Sequence, residues 1–314
     1  MRVLITGGAG FIGFNVAKKL LARGDQVVIV DNFNDYYDVN LKRKRASLLK
    51  GAQILFADIS DFETMEQIFK TYKFHKICHL AAQAGVRYSL TNPFIYGQTN
   101  FMGTLNLLEL CRRYNVKDFI YASSSSVYGK NEKQPFSELD RVDTPISLYA
   151  ATKKSNEEMA HVYNHLFGIN CIGLRFFTVY GPYGRPDMAL FLFTKAILEG
   201  KPIKVFNNGN MIRDFTYIDD IVSGVIAALD SGIKFDVFNL ARGEKVFLLD
   251  FIREIEKNLG LRAKKNMLPL QPGDVIETSG DITNARIKLG YNPKTSVAEG
   301  VRNFIQWYKE YYRV

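Results

Sequence analysis

The stretch Tyr149-Ala150-Ala151-Thr152-Lys153 sets a phenol and an ammonium four positions apart. On an α-helix that spacing brings both side chains to one face, with about 6 Å of axial rise between them. A neighbouring positive charge favours phenolate over phenol and draws a tyrosine from its ordinary value of about 10 towards working pH. The pair therefore suits removal of a proton from a hydroxyl and its later return. Taken alone, the spacing is a frequent accident. Just upstream, Ser123-Ser124-Ser125-Ser126 follow an apolar run and supply hydroxyls that can hydrogen-bond an oxygen held beside the tyrosine. Single serines in such a place more often cap loops, but their order relative to the other motifs favours a reacting site.

A second cluster suits a phosphate. Thr6-Gly7-Gly8-Ala9-Gly10-Phe11-Ile12-Gly13 joins an apolar strand to a helical pattern near the start of the chain. Gly7, Gly10 and Gly13 permit a tight turn and let backbone N–H groups approach a pyrophosphate at a helix N-terminus, where the dipole favours negative charge. Asp31 closes the next strand, 18 residues after Gly13, where a carboxylate can accept from the adenosine ribose hydroxyls. The same carboxylate repels a 2′-phosphate, which favours NAD over NADP. An oxidised nicotinamide would join Lys153 in favouring the Tyr149 phenolate. Asp58, after the third strand, is placed either to contact the adenine or to cap the helix beginning near Asp61.

These groups need a rigid frame, and the first 175 residues supply its pattern. Short, nearly uninterrupted apolar runs at 2–6, 26–31, 53–57, 76–80, 119–122 and 170–175 alternate with helical stretches at 11–23, 62–72, 100–114 and 148–167. That rhythm predicts an α/β fold with a doubly wound, Rossmann-type parallel sheet. Residues 1–175 read as the dinucleotide-binding domain, with parts of about 215–240 returning to it. Residues 176–314, richer in Gly, Pro and Asn loops, read as a smaller α/β domain closing over the sheet. The chain of 314 residues, 47% of them hydrophobic, is long enough for both.

Together the glycine motif, Asp31, Leu80-Ala81-Ala82, Asn100, the serine run and Tyr149/Lys153 resemble the extended short-chain dehydrogenase/reductase superfamily over essentially the whole chain. Within it the sequence is most similar to the NAD-dependent epimerase/dehydratase family, and there to UDP-glucuronate 4-epimerases. The stretches that carry this are Asp31-Asn32-Phe33-Asn34-Asp35-Tyr36-Tyr37, Ala84-Gly85-Val86-Arg87-Tyr88-Ser89, Phe176-Phe177-Thr178-Val179-Tyr180-Gly181-Pro182, Gly184-Arg185-Pro186-Asp187-Met188-Ala189 and Arg213-Asp214-Phe215-Thr216-Tyr217-Ile218-Asp219-Asp220.

The resemblance implies that Tyr149, Lys153 and Ser124 are catalytic. It implies that NAD is held by Gly7, Gly10, Phe11, Ile12, Gly13, Asp31, Asn32, Asp58, Ile59, Leu80, Ala81, Ala82, Asn100 and Ser123, together with Tyr149 and Lys153. A UDP-sugar, UDP-glucuronate before others, would then meet Ser124, Ser125, Ser126 and Tyr149. Thr178 stands where galactose-type epimerases carry asparagine. Arg185 would pair with the uronate carboxylate, in a contact that can be bidentate. Arg87 and Arg213 match positions near the diphosphate, and Asp274 matches a uridine-ribose contact; each arginine has a solvated or capping role as its alternative. Related 4,6-dehydratases carry an Asp-Glu pair where this chain has serines, and related decarboxylases carry glutamate at the position of Ser126. Both departures favour epimerisation. A UDP-glucose or UDP-N-acetylglucosamine 4-epimerase is the nearest alternative, and a non-catalytic NAD-binding scaffold or sensor a remote one. A homodimer through the helices at 100–114 and 148–167 is also implied.

The remaining features read more plainly. Lysine plus arginine exceed aspartate plus glutamate by 41 − 32 = 9, which leans towards anionic partners without choosing one. Lys42-Arg43-Lys44-Arg45 reads as a solvated helix face rather than a nucleic-acid patch, and no nucleic acid is expected. His161 and His165 sit four apart, but no third ligand accompanies them, so packing is favoured over zinc. Phe304, Trp307, Tyr308 and Tyr311 have helical spacing and read as packing. Cys78, Cys111 and Cys171 fit neither a disulfide framework nor a zinc clip. With no bilayer-length apolar run and a strand starting at Arg2, the expected setting is the cytoplasm, away from membranes.

Overall fold

The computed structural model describes residues 1–271 and 275–314. Seven strands form its central sheet: β1 (Arg2–Thr6), β2 (Gln26–Asp31), β3 (Gln53–Phe56), β4 (Lys76–His79), β5 (Asp118–Ser124), β6 (Asn170–Phe176) and β7 (Phe235–Leu240). Their order is β7-β6-β5-β4-β1-β2-β3, and every pair is parallel. Val3, Leu4, Ile5, Val28, Ile29, Val30, Ile77 and Cys78 are all buried, as strands covered on both faces must be. The strand order reverses between β1 and β4, so their carboxyl ends part and leave a crevice for a ligand.

Helices α1 (Phe11–Ala22), α2 (Val39–Leu48), α3 (Phe62–Tyr72), α4 (Gly103–Arg113) and α5 (Leu148–Phe167) connect these strands. Asp61 caps α3 by accepting from Thr64 N at 3.1 Å. Ser147 caps α5 by accepting from Ala150 N at 3.1 Å, and Gly168 ends it with φ +63°. The cap fixes the first turn of α5 and with it Tyr149. The expected helix over 100–114 instead begins with a π-helical turn at Gly97–Met102. β5 runs through Ser123 and Ser124, so two of the four serines belong to the strand rather than follow it.

Beyond β6 the chain builds α6 (Ala189–Leu198), α7 (Ile218–Asp230), α8 (Leu248–Leu259) and α9 (Val297–Tyr312). Helix α7 packs on α1 and leads into β7, which pairs with β6 from Phe235↔Cys171 to Leu240↔Phe176. Short strand pairs join Thr178–Tyr180 to Phe215–Tyr217 and Ile203–Val205 to Lys265–Met267. Phe304, Trp307 and Tyr308 of α9 are buried against Phe191 of α6. Tyr183 bridges the two regions, with ring centroids 4.9 Å from Trp307 and 5.1 Å from Phe14 of α1.

The basic run in α2 departs from its solvated-face reading. Arg43 and Lys44 are exposed, but Lys42 and Arg45 are buried, Arg45 completely. Arg45 Nη1 donates to Ala9 O in the glycine turn at 3.1 Å and to Tyr37 Oη at 2.7 Å; Nη2 donates to Tyr183 O at 2.6 Å and Gly184 O at 3.1 Å. Four oxygens thus satisfy a charge that could not otherwise be buried, and the arginine ties the glycine turn to the loop preceding Arg185.

Candidate active site

A cleft of about 370 Å³ lies over the carboxyl ends of β1, β4 and β5, and most of the expected site residues meet there. Gly7, Gly10, Phe11, Ile12, Gly13, Asp31, Asn32, Asp58, Ile59, Leu80, Ala81 and Ala82 line one end. Ser123, Ser124, Ser125, Ser126, Tyr149, Lys153, Thr178 and Arg185 line the other.

The first end has the donor set a dinucleotide requires. Gly7 turns with φ +71°, and a Cβ there would fall 2.7 Å from Ala81 Cα; at Gly13 a Cβ would fall 2.2 Å from Gly7 O. Only glycine lets the backbone close this tightly. Gly10 opens α1 without a side-chain cap, so the first-turn N–H groups, which a helix cannot satisfy internally, are left for an anion. Asp31 is held rigidly, Oδ2 accepting from Ala9 N at 3.0 Å and Oδ1 from Phe33 N at 2.9 Å. Burial raises its carboxyl above the usual range, partly offset by those two bonds and by Lys42. Asp58 caps no helix. Its carboxylate accepts from Asn32 Nδ2 at 2.8 Å and from Ser60 N at 2.8 Å, and it faces the cleft. These residues fit NAD, with Asp31 placed for ribose hydroxyls and the first turn of α1 for the pyrophosphate.

Tyr149 and Lys153 stand one turn apart on the wall opposite. Burial pushes the Tyr149 phenol above its ordinary value, while a hydrogen bond with Ser124 and the charge of Arg185 pull it down. Lys153 Nζ donates to Ala122 O at 2.8 Å, and burial pushes the lysine down to about 8. The expected depression of Tyr149 by Lys153 is therefore not a property of the protein alone, because a low-dielectric wall opposes phenolate and ammonium alike. Ser124 Oγ accepts from Ser126 N at 3.1 Å, which shapes the serine turn. The Ser123 hydroxyl turns inward and donates to Glu157 at 2.7 Å. Glu157 is also paired through both oxygens with Arg175, at 2.8 Å each, in a buried ion pair that braces α5 against β6.

At the sugar end, Arg185 is already engaged. Nε donates to Asp187 Oδ1 at 3.0 Å and Nη2 to Oδ2 at 2.5 Å. Burial works against the Arg185 charge, but Asp187 more than offsets it and holds the guanidinium raised. The Nε–Nη2 edge, one of the two edges a bidentate contact with a ligand could use, is thus occupied by a side chain.

Three expected residues do not line the cleft. Asn100 is buried behind it, exchanging hydrogen bonds with Gln83 N at 2.8 Å and Gln83 O at 3.1 Å, so it shapes the loop after β4 rather than touching a ligand there. Arg87 lies over the Phe206 ring at 4.9 Å. Arg213 donates to the carbonyls of Ile212, Val275 and Ile276. Asp274 lies outside the described residues. Conversely, Tyr36, Tyr37 and Lys42 line the cleft beyond the residues expected there. For Lys42 the sequence holds a signal, since it neighbours Leu41, whose apolar side chain marks the inward face of α2; Tyr36 and Tyr37 precede the helix and no period marks them. His161 packs on Phe235 and His165, with centroids at 5.2 Å and 6.5 Å.

Comparison with known proteins identifies the setting of this cleft. The model of the NAD dependent epimerase/dehydratase family matches residues 3–241. UDP-glucuronate 4-epimerase 4 of Arabidopsis thaliana is 50% identical, across 99% of this chain and 76% of its own length. UDP-glucuronic acid 4-epimerase from Bacillus cereus, solved in complex with UDP-glucuronic acid and NAD, superposes with a TM-score of 0.93 at 38% identity over 99% of this chain and 100% of its own. UDP-glucose 4-epimerase from Thermotoga maritima, solved with UDP-glucose, reaches a TM-score of 0.91 at 33% identity over 99% and 100%.

Proposed function

The chain belongs to the NAD dependent epimerase/dehydratase family, and from that premise we propose that it interconverts UDP-glucuronate and UDP-galacturonate by inverting C4 of the sugar. The observation that carries the reading is the meeting of Tyr149, Ser124 and Arg185 with the glycine turn and Asp31 in a single cleft, in a chain about half identical to named UDP-glucuronate 4-epimerases.

When bound, NAD supplies the acceptor and donor of hydride. The protein does the rest. Tyr149, as phenolate, takes the proton of the C4 hydroxyl, leaving a 4-keto sugar, and returns it after the ring has turned over. Lys153 stabilises the phenolate, and Ser124 holds the C4 oxygen. Arg87 and Arg213 stand outside the cleft here, and they hold the diphosphate in this reading by leaving Phe206 and the carbonyls of Ile212, Val275 and Ile276 as the pyranose swings. The keto intermediate carries a carboxylate β to its ketone, which invites loss of carbon dioxide. Ser125, Ser126, Thr178 and Arg185 hold that carboxylate with its C–C bond out of line with the carbonyl π-system. Residues 1–175, with about 215–240, serve the cofactor, and the rest of 176–314 serves the nucleotide sugar. The experiment is incubation of NAD-loaded protein with UDP-glucuronate, UDP-glucose and UDP-N-acetylglucosamine, followed by separation of the products. Formation of UDP-galacturonate in clear excess supports the reading, and preferred turnover of either neutral sugar overturns the substrate.

The protein works as a homodimer in this reading. Leu90, Phe94, Ile95, Phe101 and Met102 are exposed in the segment packed against α5, which itself exposes Leu148, Val162, Leu166 and Phe167. Phe94 is 90% exposed, and apolar surface of this kind marks an interface. The apolar side chains lie mainly at 90–102 and on α5, since most of α4 is buried. Sedimentation equilibrium giving a monomer mass would refute it. The working compartment is the cytoplasm, a reading supported by three free, buried cysteines; among the described residues no helix is long and apolar enough to cross a membrane.

A further inference from the structure

Arg185, Asp187 and Tyr36 form a closed charge cluster at the sugar end of the cleft. The Tyr36 hydroxyl donates at 3.1 Å to Asp187 Oδ2, the same oxygen that accepts from Arg185 Nη2. Tyr36 reaches it from the loop after β2, 151 residues away in sequence. Room for that reach is built into the backbone: Gly85 has φ +101°, and a Cβ there would fall 2.4 Å from Tyr36 Oη. Burial, reinforced by the Asp187 charge, pushes the Tyr36 phenol up to about 12, so it remains a donor. Burial alone would raise Asp187, but Arg185 and Tyr36 hold its carboxyl below the usual range. The aspartate therefore stays ionised, and it occupies the Nε and Nη2 edge of the guanidinium.

A ligand carboxylate arriving at Arg185 thus meets a guanidinium whose charge is already shared. Two carboxylates on one guanidinium repel each other, and Asp187 already takes two of its five N–H donors, one on Nε and one on Nη2. An unshared, partly desolvated arginine would grip a carboxylate much harder. Such a grip is a liability in a reaction whose sugar must release its contacts and turn over, because tighter binding of the starting orientation deepens the ground state without helping the rotated one.

We propose that Asp187 is a built-in counter-ion that weakens the hold of Arg185 on a hexuronate carboxylate, so that the sugar can leave this contact and rotate, with Tyr36 positioning Asp187. The inference rests on the 4-epimerase reading above. It assigns Arg185 a contact that is deliberately reversible, and it makes Asp187 a positioning residue acting through Arg185.

The test compares wild type with Asp187→Asn, which keeps the shape and removes the charge, and Asp187→Glu, which keeps the charge. Each NAD-loaded protein is titrated calorimetrically with UDP-glucuronate, UDP-glucose and UDP, and its kcat and KM for UDP-glucuronate are measured. Asp187→Asn is expected to bind UDP-glucuronate about five-fold more tightly, equivalent to about 1 kcal/mol. Its kcat should fall by a comparable factor or more, with KM falling too, while affinity for UDP-glucose and UDP is unchanged. Asp187→Glu should stay near wild type. Weaker UDP-glucuronate binding in Asp187→Asn, or an equal change for UDP-glucose, overturns the proposal and shows that Asp187 only supports its loop. A wild-type protein that turns over a neutral UDP-sugar in preference to UDP-glucuronate overturns the functional reading first, and this inference with it.

Discussion

Replacing Lys153 by methionine should make the NAD-free protein more stable while stopping the reaction. Lys153 is 2% exposed, and burial lowers it from an ordinary 10.5 to about 8. At about 1.4 kcal/mol per pH unit, keeping that ammonium charged near neutrality costs about 3 kcal/mol. Methionine fills similar space without a charge. It forfeits the 2.8 Å bond to Ala122 O, but Ala122 borders the cleft, where water can replace the donor, so about 1 kcal/mol is lost. A net gain of about 2 kcal/mol at pH 7 is the expected result. The pH dependence gives the sharper check. Below pH 8 the lysine is protonated in both folded and unfolded chains, and the full cost is present. Between about 8 and 10.5 the unfolded chain binds a proton that the folded one does not, so wild-type stability gains on the variant as pH rises. Urea unfolding of both NAD-stripped proteins at pH 7, 8, 9 and 10 should therefore show the gap narrowing through the upper half of that range. A methionine variant less stable than wild type at pH 7, or a gap that does not change with pH, would show that burial of the Lys153 charge carries no such cost.

Two further substitutions probe the frame. Arg45→Met leaves the carbonyls of Ala9, Tyr183 and Gly184 without their donor, and should cost about 2–4 kcal/mol in urea unfolding; a change within about 0.5 kcal/mol would mean the arginine behaves as a surface residue after all. Asp31→Ala should weaken NAD in a calorimetric titration and narrow the preference for NAD over NADP, since the carboxylate both accepts from the ribose and repels a 2′-phosphate; unchanged affinities for both cofactors would place ribose recognition elsewhere.

The parts of the site that could be read from sequence were those whose geometry is local. Gly7 and Gly13 lie within one turn and one helix start, and Tyr149 and Lys153 within one helical turn, so spacing alone carries their relation. The sheet followed for the same reason, each strand being a short apolar run with its helix behind it. What could not be read depends on chain segments far apart. Arg45 looks like surface in a basic run, and only the return of Tyr183 and Gly184 to the glycine turn buries it. Asn100 carries a family resemblance, yet its side chain is spent on Gln83 behind the cleft wall. Arg185 could be assigned to a carboxylate from resemblance, but its engagement by Asp187, two positions on, is completed by Tyr36, which is 151 residues away in sequence. The inward serine, Ser123, is likewise decided by Glu157 and Arg175, a buried pair that no local pattern announces.

If Tyr149 moves the proton in a 4-epimerisation of UDP-glucuronate, Tyr149→Phe should stop it. With wild type and variant both loaded with NAD, conversion of UDP-glucuronate to UDP-galacturonate is followed by separating the two products over time. The variant is expected to retain its NAD and to lose conversion by about 10²–10⁴-fold. Conversion at close to the wild-type rate would contradict this role of Tyr149.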